Sequence, residues 1–303
     1  MSSRPVAAQT ARGDAQTVRG ERIPLGILYM VGATVVFSGS SALSKWQVAT
    51  YPVGEVLFIR SAVALVCCAL FVLPRTGWGV FRTRRLHQHA LRSFSQFCSQ
   101  GCLLIAFSMM PLAGAIAINF SAPLYATMIS ALLLRESVGP VRWTALVVGF
   151  IGVLIVTNPG VDTFQAGALF ALTNAVLYGS VTAGVRGMTA TESTETLTMY
   201  QLTLLTLFFS LLLPLGFTVP TTFDFALFAL NGVANVFGQY WWTRALHLAP
   251  ASAVTPFYYL SLVWAIFFGF VIWGDVPTIG LLVGSCIVVG SGLILLWRET
   301  GRR

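Results

Sequence analysis

About ten hydrophobic stretches of membrane-spanning length follow one another along the chain, and the positive charge between them falls almost wholly on one side. The hydrocarbon core of a bilayer takes roughly 20 apolar residues as a helix, and only helices or closed barrels satisfy their backbone groups inside it. Stretches of this length joined by short connections therefore predict an all-α membrane protein. The spans are expected at 24–46, 53–74, 90–110, 112–134, 141–157, 165–185, 196–215, 224–246, 251–273 and 278–297. Pro52, Pro111, Pro140, Pro159, Pro220, Pro250 and Pro277 punctuate the connections, as expected where a helix stops and the chain turns back. Threaded from an inside N-terminus, the inner side collects Arg4, Arg12, Arg19, Arg22, Arg75, Arg82, Arg84, Arg85 and Arg92. Further along it gains Arg135, Arg142, Arg186, Arg244, Arg298, Arg302 and Arg303, so both termini are expected in the cytoplasm. Of the 18 basic residues only Lys45 and Arg60 remain, and both lie inside spans.

Composition excludes most other classes. Soluble domains carry about 25% charged residues, whereas this chain has 9% charged against 56% hydrophobic, more apolar surface than a soluble core could bury. The net charge of +8 is what positive-inside loops against an anionic leaflet produce, and the Arg75–Arg92 stretch lacks the aromatic and glycine interleaving of a nucleic-acid module. Cys67, Cys68, Cys98, Cys102 and Cys286 all fall in apolar stretches, which argues against a disulfide framework. Cys98 and Cys102 share a helix face but have no further Cys or His nearby, so no metal is expected. Residues 1–23 are polar without an apolar h-region and read as a disordered cytoplasmic tail, not a signal peptide.

The chain repeats. Sliding residues 92–136 by 139 places Gln96 on Asn235, Gln100 on Gln239, Pro111 on Pro250, Asn119 on Tyr258 and Glu136 on Asp275. An offset of 141 places Gly26 on Gly167, Phe37 on Tyr178 and Lys45 on Arg186. Two five-helix units follow, 24–157 and 165–297, and because five is odd they must be inverted relative to each other. Inverted repeats are an architecture of alternating-access carriers; a duplication without a transport role is the other reading. A Pro-bearing span before Glu136, Gly149 and Gly152 in the next, and Asp275, Gly280, Gly284, Gly290 and Gly292 in the second half resemble the EamA-type branch of the drug/metabolite transporter superfamily. Within that branch the chain is most similar to bacterial exporters of aromatic and other neutral amino acids. The resemblance implies a multi-pass protein of the bacterial inner membrane that exports such amino acids without a cofactor, or alternatively a broad efflux carrier for drugs and organic cations. Asp275 stands where the family commonly has Glu.

Two matching helix faces point to the pathway. Ala33, Phe37, Ser41 and Lys45 stand four apart, and the 141 offset carries them onto Asn174, Tyr178, Thr182 and Arg186. Polar groups in hydrocarbon are costly and face a cavity or a neighbouring helix, so these stripes are expected to line a pathway between the halves. Lys45 has two readings, a headgroup-seeking anchor, or a residue that gates the pathway or holds a substrate carboxylate. As a gate it would pair with an outer acid such as Glu55 or Asp275, with Arg186 pairing reciprocally with Glu136 or Glu192. Gln96, Gln100, Asn235 and Gln239 offer donors and acceptors for a zwitterion, or alternatively hydrogen bonds between helices. Tyr258 follows Pro256, and with Asn119 it completes a wall suited to an aromatic or apolar amino acid, or to a flat cation. The partners expected are therefore an amino acid and the lipid bilayer, with no nucleic acid. Gly280 with Gly284, and Ala113 with Ala117, are small-residue arrays for close helix approach, within a protomer or between protomers. Glu55, Glu136 and Asp275 sit at span ends and no phosphate-binding glycine loop exists, so facilitated export down a gradient is expected rather than ATP hydrolysis. His87, His89 and His247 have no intramembrane acid or Ser partner, so no enzyme is expected.

Overall fold

In the computed structural model, the described residues are 23–122, 124–125, 128–129, 140–157, 162–188, 192–248 and 254–300. The tail 1–22 and Glu136 lie outside them, and so do the side chains of Thr182 and Arg186. Every regular element among the described residues is helical. Ten α-helices are seen: α1 (Ile23–Val48), α2 (Val53–Thr76), α3 (Leu86–Met109), α4 (Leu112–Asn119), α5 (Pro140–Thr157), α6 (Asp162–Met188), α7 (Thr194–Ser210), α8 (Thr222–Leu248), α9 (Leu260–Trp273) and α10 (Ile279–Thr300). Short 3₁₀ turns follow α2 at Gly77–Phe81 and α7 at Leu213–Leu215, and another precedes α9 at Thr255–Tyr259.

The prolines act at the breaks. Pro52 and Pro111 directly precede α2 and α4, where a missing N–H costs nothing. Gly274 ends α9 in the left-handed region at φ 71°, where its backbone N–H caps Phe270 and Gly269. By length and composition three helical segments are apolar enough to cross a membrane: Ile23–Val48, Val53–Phe81 and Glu195–Leu215. The shorter apolar stretches Val147–Val156, Ala166–Val181, Phe257–Trp273 and Ile279–Ile294 lie in other helices. Helix α3, which carries none of these stretches, is long enough but polar. Ser93, Gln96 and Ser99 lower its hydropathy, and all three are buried against protein, so its inward face conceals a span from a simple apolar count.

Packing follows the repeat. Helix α1 packs chiefly on α8 and also on α9, while α6 packs chiefly on α3 and also on α4. Helix α2 lies on α7 and α8, α7 on α2 and α3, α4 against α9, and α5 against α10. Adding five to one helix number and subtracting five from the other exchanges α1–α8 with α3–α6, α1–α9 with α4–α6 and α2–α8 with α3–α7, and returns the other three pairings to themselves. The main core cluster draws on both halves, with Leu57, Phe107, Leu112 and Ile118 from the first and Phe209, Phe228 and Leu262 from the second. The α5–α10 contact is set by glycines. A Cβ on Gly284 would lie 2.7 Å from the Gly152 carbonyl oxygen and 2.8 Å from the Val156 nitrogen, so the two backbones touch. Gly284 thus packs helices within one protomer.

Candidate functional site

Both halves break at the same place. Helix α4 stops at Asn119 and the chain turns at Phe120–Ser121, while the 3₁₀ turn Thr255–Tyr259 gives way to α9 at Leu260. Under the 139 offset Phe120 corresponds to Tyr259, so the interruptions coincide. Discontinuous helices at matching positions of two repeats are the best pointer to a solute site in folds of this kind, because irregular backbone at membrane depth is tolerated where it lines a cavity. Aromatic rings gather there. Phe120 meets Tyr259 edge-on at 5.1 Å and Tyr258 at 5.8 Å, and Phe37 of α1 meets Tyr258 at 6.5 Å. Tyr178 of α6 lies near both Tyr258 and Arg92, and keeps 43% of its surface accessible. Two glycines admit these rings: the Tyr259 hydroxyl lies directly on Gly292, and a Cβ on Gly238 would come within 2.9 Å of Phe37.

The amides expected along the pathway have divided roles. Asn174 accepts from the Ser99 hydroxyl at 2.7 Å and donates to Asn119 Oδ1 at 2.8 Å, tying α6 to α3 and α4. Gln100 accepts from Arg60 Nη2 at 2.7 Å, and Gln96 is buried on the same helix. Asn235 is half-buried and Gln239 exposed, so the polar centre of α8 lies one turn earlier, at Asn231. Its amide is fully buried; it accepts from Ser40 and donates to Ser44 Oγ at 3.0 Å and to Gln47 Oε1 at 2.9 Å. Ser40, Ser44 and Gln47 recur at four- and three-residue spacing on α1, a signal present in the sequence beside the stripe of Phe37, Ser41 and Lys45. Ser41 itself is half-buried. A further link, Ser38 Oγ to the Ser261 carbonyl at 2.9 Å, joins α1 to α9.

Lys45 holds one end of the bundle together. Its ammonium donates to Asp275 Oδ2 at 3.4 Å and to the Met110 carbonyl at 3.1 Å, and sits 4.7 Å from the centre of the Trp273 ring. One side chain thus joins the end of α1 to the ends of α3 and α9 and to the loop before α10. At the same end the Tyr51 hydroxyl donates to Asp224 at 2.7 Å and the Thr218 N–H donates to Glu55 at 2.9 Å, so Glu55 braces a loop rather than Lys45. At the opposite end the base of α3 is bound to α7. Arg92 donates to Gln201 and to the Leu197 carbonyl, Tyr200 donates to the Phe81 carbonyl at 2.6 Å, and Thr83 donates to Glu192 at 2.6 Å. The reciprocal pairing expected of Arg186 with Glu136 lies outside the described residues. The five cysteines are free thiols, and no group of His, Cys, Asp or Glu suited to a metal occurs among the described residues.

A two-part helical bundle with paired breaks, clustered aromatic rings and an ion pair at one end is of the kind that multi-pass membrane carriers use. The EamA-like transporter family matches the chain twice, over residues 24–158 and 165–297, and the chain belongs to that family. It is a transporter of small metabolites, not an enzyme. It is 30% identical over 288 residues to a riboflavin transporter of Rhizobium johnstonii, covering 94% of this chain and 95% of that one. It is 27% identical over 278 residues to the pseudopaline exporter CntI of Pseudomonas aeruginosa, covering 91% and 97%. Identity to an S-adenosylmethionine uptake transporter of Rickettsia prowazekii is 23% over 275 residues, covering 90% and 93%. A protein of known crystal structure superimposes with a TM-score of 0.61 at 17% identity, covering 91% of this chain and 99% of that chain, a likeness of fold alone.

Proposed function

We propose that the chain is an alternating-access carrier of flat, ring-bearing metabolites, with riboflavin the first solute to test. The carrying observation is the ring wall of Phe37, Phe120, Tyr258 and Tyr259, assembled where both halves break their helices. Offset and edge-on contacts with such rings hold a planar heterocycle at about 0.5–1.5 kcal/mol each beyond burial. The riboflavin transporter among its relatives, matched over nearly its whole length, supports the same solute. The double family match and the exchange symmetry of helix packing support two inverted repeats. The bias of arginines toward alternate loops supports both termini in the cytoplasm of a bacterial inner membrane, with the Lys45 end outermost. On that reading the outer mouth is latched in this conformation. The relatives include an exporter and an uptake transporter, so direction follows the solute gradient and whatever coupling the cell supplies.

Export of aromatic amino acids is the second reading. It is favoured by Arg60, a partner for a carboxylate. Fluorescence quenching of riboflavin by the purified full chain separates the two. Saturable quenching that weakens roughly tenfold in Phe37→Ala and Tyr258→Ala variants is the expected result. Phenylalanine binding saturably to a protein that leaves riboflavin unquenched would transfer the site to amino acids.

A further inference from the structure

Arg60 is a cation in the interior of α2, seven residues from its first residue, Val53. At 1.5 Å per residue that is on the order of 10 Å into the span, beyond a simple headgroup anchor. It turns inward, donating to Gln100 of α3 at 2.7 Å and to Ser44 of α1 at 3.4 Å. Both partners are uncharged, and among the described residues no carboxylate lies within ion-pair distance of it. Ser44 also accepts from Asn231, whose amide reaches Ser40 and Gln47, so two uncharged side chains meet the guanidinium and three more stand behind Ser44. Within this chain of bonds Gln47 is 2% exposed, and its Nε2 donor has no partner. A Cβ on Gly232 would stand 3.0 Å from the Arg60 carbonyl, so α8 closes tightly behind this station.

An interior cation costs several kcal/mol unless an anion answers it. Here the surrounding protein supplies hydrogen-bond acceptors that fix the guanidinium's direction but no counter-charge. Arg60 keeps part of its surface accessible, and its planar fork retains donors matched to a carboxylate or phosphate. We infer that Arg60, oriented by Gln100 and Ser44, is an anion-binding station of the pathway and favours ring-bearing solutes that carry a carboxylate or phosphate over their uncharged counterparts. The inference rests on the ring-wall reading of the site and adds the charge class of the solute. Lys45 is then the latch and Arg60 the solute-charge partner, the reverse of the weight the sequence alone places on Lys45.

Matched pairs of probes test it with the purified full chain. Riboflavin is compared with riboflavin 5′-phosphate, and 3-phenylpropionamide with 3-phenylpropionate, by competition or direct titration against the parent, Arg60→Gln and Arg60→Lys. In the parent the anionic member of at least one pair is expected to bind roughly tenfold tighter, and which pair shows it distinguishes phosphate from carboxylate. Arg60→Gln is expected to erase that preference by weakening the anionic member roughly tenfold, and Arg60→Lys to keep part of it. Should Arg60→Gln not yield folded protein, Gln100→Ala is expected to shrink the same preference by releasing the guanidinium. Binding of both members equally in the parent, or a preference that survives Arg60→Gln, overturns the anion station and leaves the ring wall standing. Binding of no member to the parent overturns both.

Discussion

At the scale of single residues, the charges and amides divide into those whose hydrogen-bonding partners are all protein groups and those, like Arg60, with donors left over. Lys45 is of the first kind. Its pair with Asp275 is partly exposed, at 13% and 31%, so the ion pair and the Trp273 contact together contribute on the order of 1–2 kcal/mol. That is enough to shift a conformational equilibrium roughly tenfold. Lys45→Ala and Asp275→Ala should each raise the labelling rate of a cysteine placed at Ser41 by an outside thiol reagent, by about that factor. The exchange of the two, Lys45→Asp with Asp275→Lys, should restore the parent rate; no rescue would mean the pair is not a latch. Asn231 is structural in the same sense. Asn231→Leu strands the polar atoms of Ser40, Ser44 and Gln47 in the interior, and should cost about 1–3 kcal/mol in detergent unfolding. Asn235→Leu, at a half-buried position, should cost well under half of that. The partner of Lys45 was half-legible beforehand, because reciprocity between repeats left two acids, Glu55 and Asp275, and packing at the bundle end chose Asp275. Asn231 was not, because a polar residue in an apolar stretch announces an interior position without naming its partner, and Asn235 offers the same chemistry one turn away.

Among elements, the helices that read easily are those whose apolar runs are unbroken. Helices α1, α2 and α7 stand out by length and hydropathy, whereas α3 spends its inner face on Ser93, Gln96 and Ser99 and is recognised only by its place in the series. The coincident breaks after Asn119 and through Tyr259 were half-legible. Pro256 marks the second and Pro123, which cannot donate back to the Asn119 carbonyl, marks the first, but neither shows that the two breaks meet in space. Helix pairing is where small residues matter most. Gly284→Leu would drive a side chain into the backbone of α5 at Gly152 and Val156, which cannot retreat as a flexible side chain would. The expected result is a loss of about 1–3 kcal/mol, read as a lowered melting temperature in detergent. Gly290→Leu, whose added carbon meets nothing within 4 Å, should leave that temperature nearly unchanged.

For the whole molecule, the two family matches and the exchange symmetry of packing describe one construction used twice. The offsets of 139 and 141 carried that much from sequence, since a repeat constrains pattern even where identities are few. Substrate was less legible, because the same aromatic and amide positions serve a phenyl, an indole or a larger ring, and their contacts form only between elements far apart in the chain. Reporter fusions at the two ends should both report the cytoplasm; an external signal from either would reverse the placement of the Lys45 end. The measurement that bears most directly on the central claim is counterflow in proteoliposomes of the full chain, loaded with unlabelled riboflavin and offered labelled riboflavin outside. The account predicts a transient overshoot of label above the equilibrium level, lost in vesicles without the protein and reduced in Tyr258→Ala. Label that only equilibrates, at the rate of protein-free vesicles, for riboflavin and phenylalanine alike would contradict a carrier of ring-bearing metabolites.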